Sequence, residues 1–481
     1  MRYDILIIGA GVLGSFIARK LSAYDVSVAL LDKESDVGNV TSMANSAIIH
    51  SGYDPVPGTN KAKFNVLGNK MYDQIADELD VHFRRIGSMT VALYDEQLKV
   101  LKELEERSKE NGVEVRLLSK EEALKMEPNL SPEVKGALYA PTAGIIDPFN
   151  LVVHCVENAV DNGVNLLLNS KVIKVEAIGD GFKVSCKDGK EYECRVLVDA
   201  AGLASDKIAS MLEEIDWKIT PRKGQYYVLD HFDDNWIKHT IFPLPSEKGK
   251  GILVSPTSSN NYILGPSSEL VDSIDDLSTD GATLREVKRQ ALEMVPSIPF
   301  YRAIRAFAGN RATCTRHDFV IERGKKHPNF VILGGIESPG LVSSPAIAEY
   351  VVEELIKKII ELNEKKDFNP RVRRYRRLKD MSFEDREKLI KEDPDYGKIV
   401  CFCEKVSLGE VKDALSRSVA PHSIKAMKKR VRAGFGKCQG GFCQSNILKE
   451  IAEHFDLDWM DICYDGQDSQ ILIEDVKEPR Q

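Results

Sequence analysis

Gly9-x-Gly11-x-x-Gly14 follows the apolar run Ile5-Leu6-Ile7-Ile8 and opens a stretch, residues 12–23, with apolar positions at helical spacing. No other feature constrains the fold as strongly as this order of strand, glycine turn and helix. The first two glycines permit a tight turn and let the backbone approach a pyrophosphate at the helix N-terminus. The third lets helix and strand pack closely. Residues 26–31 read as a second strand, so the segment begins a βαβ unit. That strand ends at Asp32, whose carboxylate is suited to accept hydrogen bonds from an adenosine ribose. A Rossmann-like dinucleotide site follows. NAD and FAD share its fingerprint, and both remain open at this point.

The remainder of the 481 residues exceeds one ordinary core and implies two or three domains. Residues 172–178, 183–186, 196–199 and 330–333 read as strands, and 225–265 as antiparallel sheet. Ser119 is a predicted helix N-cap, and 346–362 a predicted amphipathic helix. Residues 363–398 lose apolar content and carry Arg371, Arg373, Arg374, Arg376 and Arg377. A solvated linker helix is the first reading of this run, and docking of an acidic partner the second. The net charge of −8 speaks against nucleic acid as a partner. No segment approaches the ~18–20 apolar residues of a membrane span, and Ile5–Ile8 follows the acidic Asp4, unlike a signal peptide. The predicted location is cytoplasmic, with membrane attachment only through a partner. In a reducing compartment Cys155, Cys186, Cys194, Cys314 and Cys463 read as core residues or free thiols.

Beyond Asp32 come Thr41-Ser42-x-x-Asn45-Ser46-x-x-x-His50-Ser51-Gly52 and, later, Leu197-Val198-Asp199-Ala200-Ala201-Gly202. Phe307-Ala308-Gly309-Asn310-Arg311 and Gly334-Gly335, then Ser338-Pro339-Gly340, lie further on. With gaps, over residues 1–360, these segments resemble the D-amino-acid-oxidase-like family of flavoproteins. The resemblance implies FAD, held by Gly9, Gly11, Gly14, Asp32, Ser42, Asn45, Ser46, Val172, Ala201, Gly202, Gly335, Pro339, Gly340 and Leu341. It also implies a substrate domain built on an antiparallel sheet.

Cys401-x-Cys403 and Cys438-x-x-x-x-Cys443 supply four thiolates in two close pairs, the set a 2Fe–2S cluster takes with two per iron. Structural zinc is the competing four-cysteine reading, although it commonly uses Cys-x-x-Cys spacing. Around these cysteines, Asp395-Tyr396-Gly397, Cys401-Phe402-Cys403-Glu404 and Arg432-Ala433-Gly434-Phe435-Gly436-Lys437-Cys438-Gln439-Gly440 resemble the bacterioferritin-associated-ferredoxin-like domain. That resemblance implies the cluster. The predicted fold class is thus α/β: a Rossmann-like FAD-binding domain with an antiparallel-sheet substrate domain, plus a small helical C-terminal 2Fe–2S domain. The expected division is 1–80, 150–215 and 300–362 for FAD, and 81–149 and 216–299 for substrate. A linker (363–398), the cluster domain (399–455) and an acidic tail (456–481) complete it.

A flavin takes two electrons as a hydride and the cluster carries one at a time, so the pair implies a dehydrogenase delivering electrons to a separate redox subunit. A non-catalytic electron-transfer subunit is the reading from another class. Two subfamilies share the likeness. The fused domain and Gly144-x-x-Asp147-Pro148-Phe149 resemble anaerobic glycerol-3-phosphate dehydrogenase. Asn45-Ser46-x-x-x-His50-x-Gly52 and Ser338-Pro339 look more like L-2-hydroxyglutarate dehydrogenase. Either substrate is a small anionic secondary alcohol, glycerol 3-phosphate being favoured by the whole-architecture match. His50 is the expected proton acceptor. Arg311 is the expected anion clamp, since guanidinium binds carboxylate or phosphate bidentately. Lys61 and Lys63 are candidates for further positive charge or for plain surface residues.

Overall fold

The computed structural model describes residues 1–245 and 251–474. Its first sheet has eight strands. Val172–Ile178, Gly181–Cys186, Glu191–Asp199, Arg2–Ile8, Val28–Leu31 and Asn165–Leu167 form the main path, and Phe330–Gly334 also pairs with Glu191–Asp199. The pairings of Arg2–Ile8 with Val28–Leu31 and with Glu191–Asp199 are parallel. This explains the unbroken apolar run. A parallel strand covered on both faces is hydrophobic at every position. Ile5 and Ile7 enter one core with helices Val12–Leu21, Pro148–Asp161 and Gly340–Tyr350, while Leu6 and Ile8 enter the core on the opposite face.

A nine-stranded second sheet runs Glu269–Leu270, Ile219–Leu229, Tyr262–Gly265, Leu253–Pro256, Thr240–Phe242, Ser88–Ala92, Gly136–Ala140 and Arg116–Ser119. Ala303–Cys314 pairs antiparallel with Ile219–Leu229 from Ile219↔Cys314 to Leu229↔Ala303. The expected boundary at residue 300 is corrected by this pairing, because the strand carrying Arg311 is part of the antiparallel sheet. Ser119 does cap the helix Lys120–Met126, in a reciprocal capping box with Glu122.

The C-terminal unit is a hairpin, Ile399–Cys401 with Val406–Ser407, and the helices Leu408–Leu415, Ile424–Val431 and Gln444–Phe455. It docks on the helix Pro148–Asp161 and on the loop after Asp32. Asn150 Nδ2 donates to the Lys429 and Arg430 carbonyls at 3.0 and 3.2 Å. Arg430 Nη1 and Nη2 grip Asp36 at 2.9 and 3.0 Å, Lys429 Nζ joins at 2.6 Å, and all three residues are buried. Burial works against ionising Asp36, but Arg430 and Lys429 outweigh it and hold the carboxyl well below the usual carboxylate range.

Three expectations change here. The helix foreseen over 346–362 starts at Gly340 and continues through a π-helical turn, Val351–Ile356, because Pro339 and Gly340 open it at the cavity. The basic run is no linker helix. It crosses the first domain as extended chain, and Arg371 and Arg374 pair with Asp77, Arg377 with Asp80 and Arg373 with Asp413. Four of its five charges are met inside the chain. The expected acidic tail from 456 packs in part on the rest of the chain. Ile462 is buried in the C-terminal core and Asp465 bonds Asn39 and Lys425, whereas 475–481 lie outside the described residues. Among the described residues, no helix is long and apolar enough to cross a membrane.

Asp36→Ala strands two buried cations, so it should cost about 3–5 kcal/mol and give an earlier unfolding transition in guanidinium. Because the folded-state pKa of Asp36 is depressed, its contribution is present above the unfolded value of about 3.9 and is lost as pH falls further. The wild-type and Asp36→Ala stabilities should therefore converge on acidification.

Candidate active site and cysteine cluster

The turn between Ile8 and Val12 positions everything at the mouth of the first domain. Gly9 has φ +107°, and a Cβ there would lie 2.4 Å from the Ala200 carbonyl oxygen. A Cβ on Gly14 would lie 1.9 Å from the Gly9 carbonyl oxygen, so helix and strand meet at backbone contact. No side chain of Gly11 caps the first helix, and the Val12 amide donates to Ser42 Oγ at 2.9 Å. Asp32 accepts from the Ala10 and Glu34 amides at 2.7 and 2.9 Å. Its burial raises the carboxyl pKa despite those two donors.

From this turn a cavity of about 930 Å³ extends between the two sheets, a size that suits a large cofactor with a small substrate. Gly11, Ser42, Asn45, Ser46, Gly202, Pro339, Gly340 and Leu341 line it. Two helices open on it, Val12–Leu21 and Gly340–Tyr350, and neither has a capping side chain at its N-cap position. The positive end of each helix dipole, with amides beyond the Val12 N–H that Ser42 holds, suits an anionic group and an electron-rich ring edge. The residues therefore fit FAD. Gly9, Gly14, Asp32, Ala201 and Gly335 are not among the lining residues. Val172 does not line the cavity and begins the strand after the 168–171 loop, in which the Ser170 amide donates to the Asp32 carbonyl at 2.7 Å.

His50 and Arg311 also line the cavity. Asn65 and Asn69 donate to the His50 carbonyl at 2.7 and 3.0 Å, and its ring centroid is 5.8 Å from that of Phe242. Arg311 Nη2 donates to the Ser267 carbonyl at 2.8 Å and Nε to the Arg222 carbonyl at 3.3 Å. These partners are neutral, so they orient the guanidinium and leave its charge uncancelled. Arg222 stands directly across the ladder from Arg311 and lines the same cavity. Tyr226 lies 3.3 Å from Ser46 Oγ through its hydroxyl and stacks on Phe307 at 4.6 Å. Burial raises its pKa above the phenol value, against the opposing pull of Arg311, so it stays protonated. Lys61 is not a free anion ligand, because its ammonium pairs with Glu337 at 2.9 Å. Lys63 turns to the Phe64 and Tyr350 rings. Sequence reasoning missed Arg222, Tyr226, Phe242 and Ser267. Only the pairing of Ile219–Leu229 with Ala303–Cys314, a long-range contact, brings them to the site.

The four clustered cysteines converge in two pairs, Cys401 with Cys443 and Cys403 with Cys438, each linked by a thiol hydrogen bond. The pairs join the two motifs, so neither motif supplies a pair by itself. Cys401 and Cys443 are buried, and Cys403 and Cys438 are partly exposed. Among the described residues, no three His, Cys, Asp or Glu side chains gather around a single-ion site. Two pairs match the two-per-iron demand of a 2Fe–2S cluster. Amides of Glu404 and Gly434 donate to the Cys401 sulfur, and those of Gly440 and Phe442 to Cys438. Such donors tune a cluster's potential. The unit also touches the substrate sheet. Arg305 donates to Gln439, beside Cys438, at 3.2 Å, and Arg305 sits on the strand that carries Arg311. Six residues along that strand span about 20 Å.

Residues 4–354 match the FAD dependent oxidoreductase family model, and 399–453 match the BFD-like [2Fe-2S] binding domain. The chain is 43% identical to a glycerol 3-phosphate dehydrogenase from Caloramator mitchellensis, over 99% of each chain. It is 37% identical to a glycerol 3-phosphate oxidase from Mycoplasma genitalium, over 76% of this chain and 97% of the oxidase. A solved structure of L-alpha-glycerophosphate oxidase from Mycoplasma pneumoniae with FAD bound superposes with a TM-score of 0.73 at 30% identity, covering 77% of this chain and 98% of that one.

Two outcomes follow from the geometry. Gly11→Val crowds Ser42 at the pyrophosphate turn and should yield folded protein without the yellow flavin spectrum, whereas normal flavin content would contradict the assignment. Cys403→Ser removes one thiolate and should lower bound iron well below the two atoms per chain of a 2Fe–2S cluster. Stoichiometric zinc in the wild type would hand the site to a structural role.

Proposed function

The chain belongs to the FAD dependent oxidoreductase family, and we propose that it is a glycerol 3-phosphate dehydrogenase that sends electrons through its own 2Fe–2S cluster to a separate redox protein. The observation that carries this reading is the full-length likeness to a dehydrogenase, cysteine domain included. The glycerol 3-phosphate oxidase, by contrast, is matched almost end to end within the flavin-binding part.

When bound, the flavin supplies a hydride acceptor and the cluster a one-electron carrier. The chain's own groups handle the anion and the proton. Arg311, held by carbonyls alone, has its full charge to offer the phosphate. Arg222 beside it provides a second guanidinium. A phosphate ester carries a charge of roughly −1.5 to −2, which a pair of arginines matches. His50 takes the hydroxyl proton as the carbon–hydrogen bond breaks and the ketone forms, giving dihydroxyacetone phosphate. Phe242 packs beside the His50 ring.

Anaerobic stopped-flow bleaching of the flavin tests the reading without involving the final acceptor. Glycerol 3-phosphate should bleach it in one phase. His50→Ala should slow that phase by roughly 10²–10⁴-fold with flavin retained. Arg311→Met should mainly weaken binding, by about 1.5–3 kcal/mol. Bleaching by L-2-hydroxyglutarate and not by glycerol 3-phosphate would replace the substrate. A wild-type rate in His50→Ala at all pH values would remove His50 as the base.

A further inference from the structure

Two of the largest exposed apolar side chains in the molecule adjoin the cluster ligands. Phe402, between Cys401 and Cys403, is 77% exposed, and Phe442, next to Cys443, is 79% exposed. Cys401 and Cys443 are neighbours, so the residues next to them, Phe402 and Phe442, belong to the same cysteine pair. Fully exposed phenylalanines gain nothing for folding, and their coincidence with metal ligands needs a reason. Within two positions of the four cysteines the charged residues are Glu404, Lys405 and Lys437. Glu404 is buried and tied to Arg432 at 3.0 Å. Lys405 and Lys437 are exposed and take part in no ion pair among the described residues. The exposed charged residues next to the cysteine motifs are therefore both cationic, on a chain whose net charge is −8.

We propose that Phe402 and Phe442, rimmed by Lys405 and Lys437, form the docking surface for an acidic, one-electron carrier protein. The inference rests on the reading that the cluster is the electron exit. A 2Fe–2S cluster hands over single electrons, so its acceptor is a one-electron centre, and each reduced cluster is reoxidised as one acceptor centre is reduced. Transient electron-transfer contacts are small, at the low end below about 1,200 Å² of buried surface, and are steered by complementary charge. A two-ring patch with two lysines suits that scale. It falls short of a membrane surface, because stable attachment takes a long amphipathic face or two anchoring signals.

The test uses the holoenzyme with its iron verified, reduced by stoichiometric dithionite and mixed anaerobically with oxidised plastocyanin, an acidic copper protein. Basic cytochrome c serves as the control. The wild type should favour plastocyanin, and its rate should fall as salt rises to about 0.3 M. The double variant Phe402→Ser, Phe442→Ser should lose roughly tenfold or more of that rate, and Lys405→Glu, Lys437→Glu should do the same without altering the apolar patch. Binding of zinc-substituted plastocyanin, which accepts no electrons, should weaken in parallel by NMR titration. Wild-type rates and affinities in both double variants would overturn the proposal, as would a preference for cytochrome c. Pelleting of the wild type, but not the variants, with phosphatidylserine vesicles at about 0.15 M salt would assign the face to a lipid surface instead. Dithionite supplies the electrons, so failure of glycerol 3-phosphate to bleach the flavin would sink only the preceding reading.

Discussion

The backbone contact between the first strand and the first helix is the constraint on which the rest depends. With only 1.9 Å between a notional Gly14 Cβ and the Gly9 oxygen, no side chain fits at that position. The helix is thereby drawn onto the strand until its N-terminus opens at the sheet's end. Gly9 in turn abuts the Ala200 carbonyl, which fixes where Glu191–Asp199 ends. The loop at Ser42 then closes over the helix N-terminus through the Val12 amide. Three segments remote in sequence are brought to one point by the absence of two side chains, and that point is the mouth of the cavity.

A second junction ties the cluster unit to the same place. The loop that follows Asp32 carries Asp36 into the grip of Arg430 and Lys429, and Asn39 to Asp465. A buried charge triad of this kind is a poor source of net stability, since desolvation offsets its Coulomb gain. It does penalise any arrangement that leaves one member unpaired. The C-terminal unit is thereby held in one orientation. The strand bearing Arg311 on the cavity side meets Gln439 through Arg305 on the cluster side. Packing and charge at the two sites are thus linked through a few residues.

Much of this was legible in the sequence because its causes are local. The glycine fingerprint, the alternation within Val172–Ile178, the Ser119 cap and the cysteine motifs each act within a few residues. What was missed depends on pairing at a distance. Arg222 and Tyr226 carry no motif, and only the register of Ile219–Leu229 against Ala303–Cys314 turns them toward the site. The same pairing moved the domain boundary. The basic run was misread for a related reason. Composition shows that charges are present, but their partners Asp77, Asp80 and Asp413 come from other parts of the chain. Lys61, a candidate for added charge or for the surface, instead pairs with Glu337, an acid far along the sequence.

The central claim is that a single chain oxidises the alcohol and moves the electrons onward to its own cysteine-bound cluster. Freeze-quench electron paramagnetic resonance, on anaerobic holoenzyme mixed with glycerol 3-phosphate, tests this most directly. The account predicts that flavin bleaching is followed within the same turnover by the signal of a reduced 2Fe–2S cluster. A bleached flavin beside a cluster that stays oxidised, although dithionite reduces it, would contradict the account.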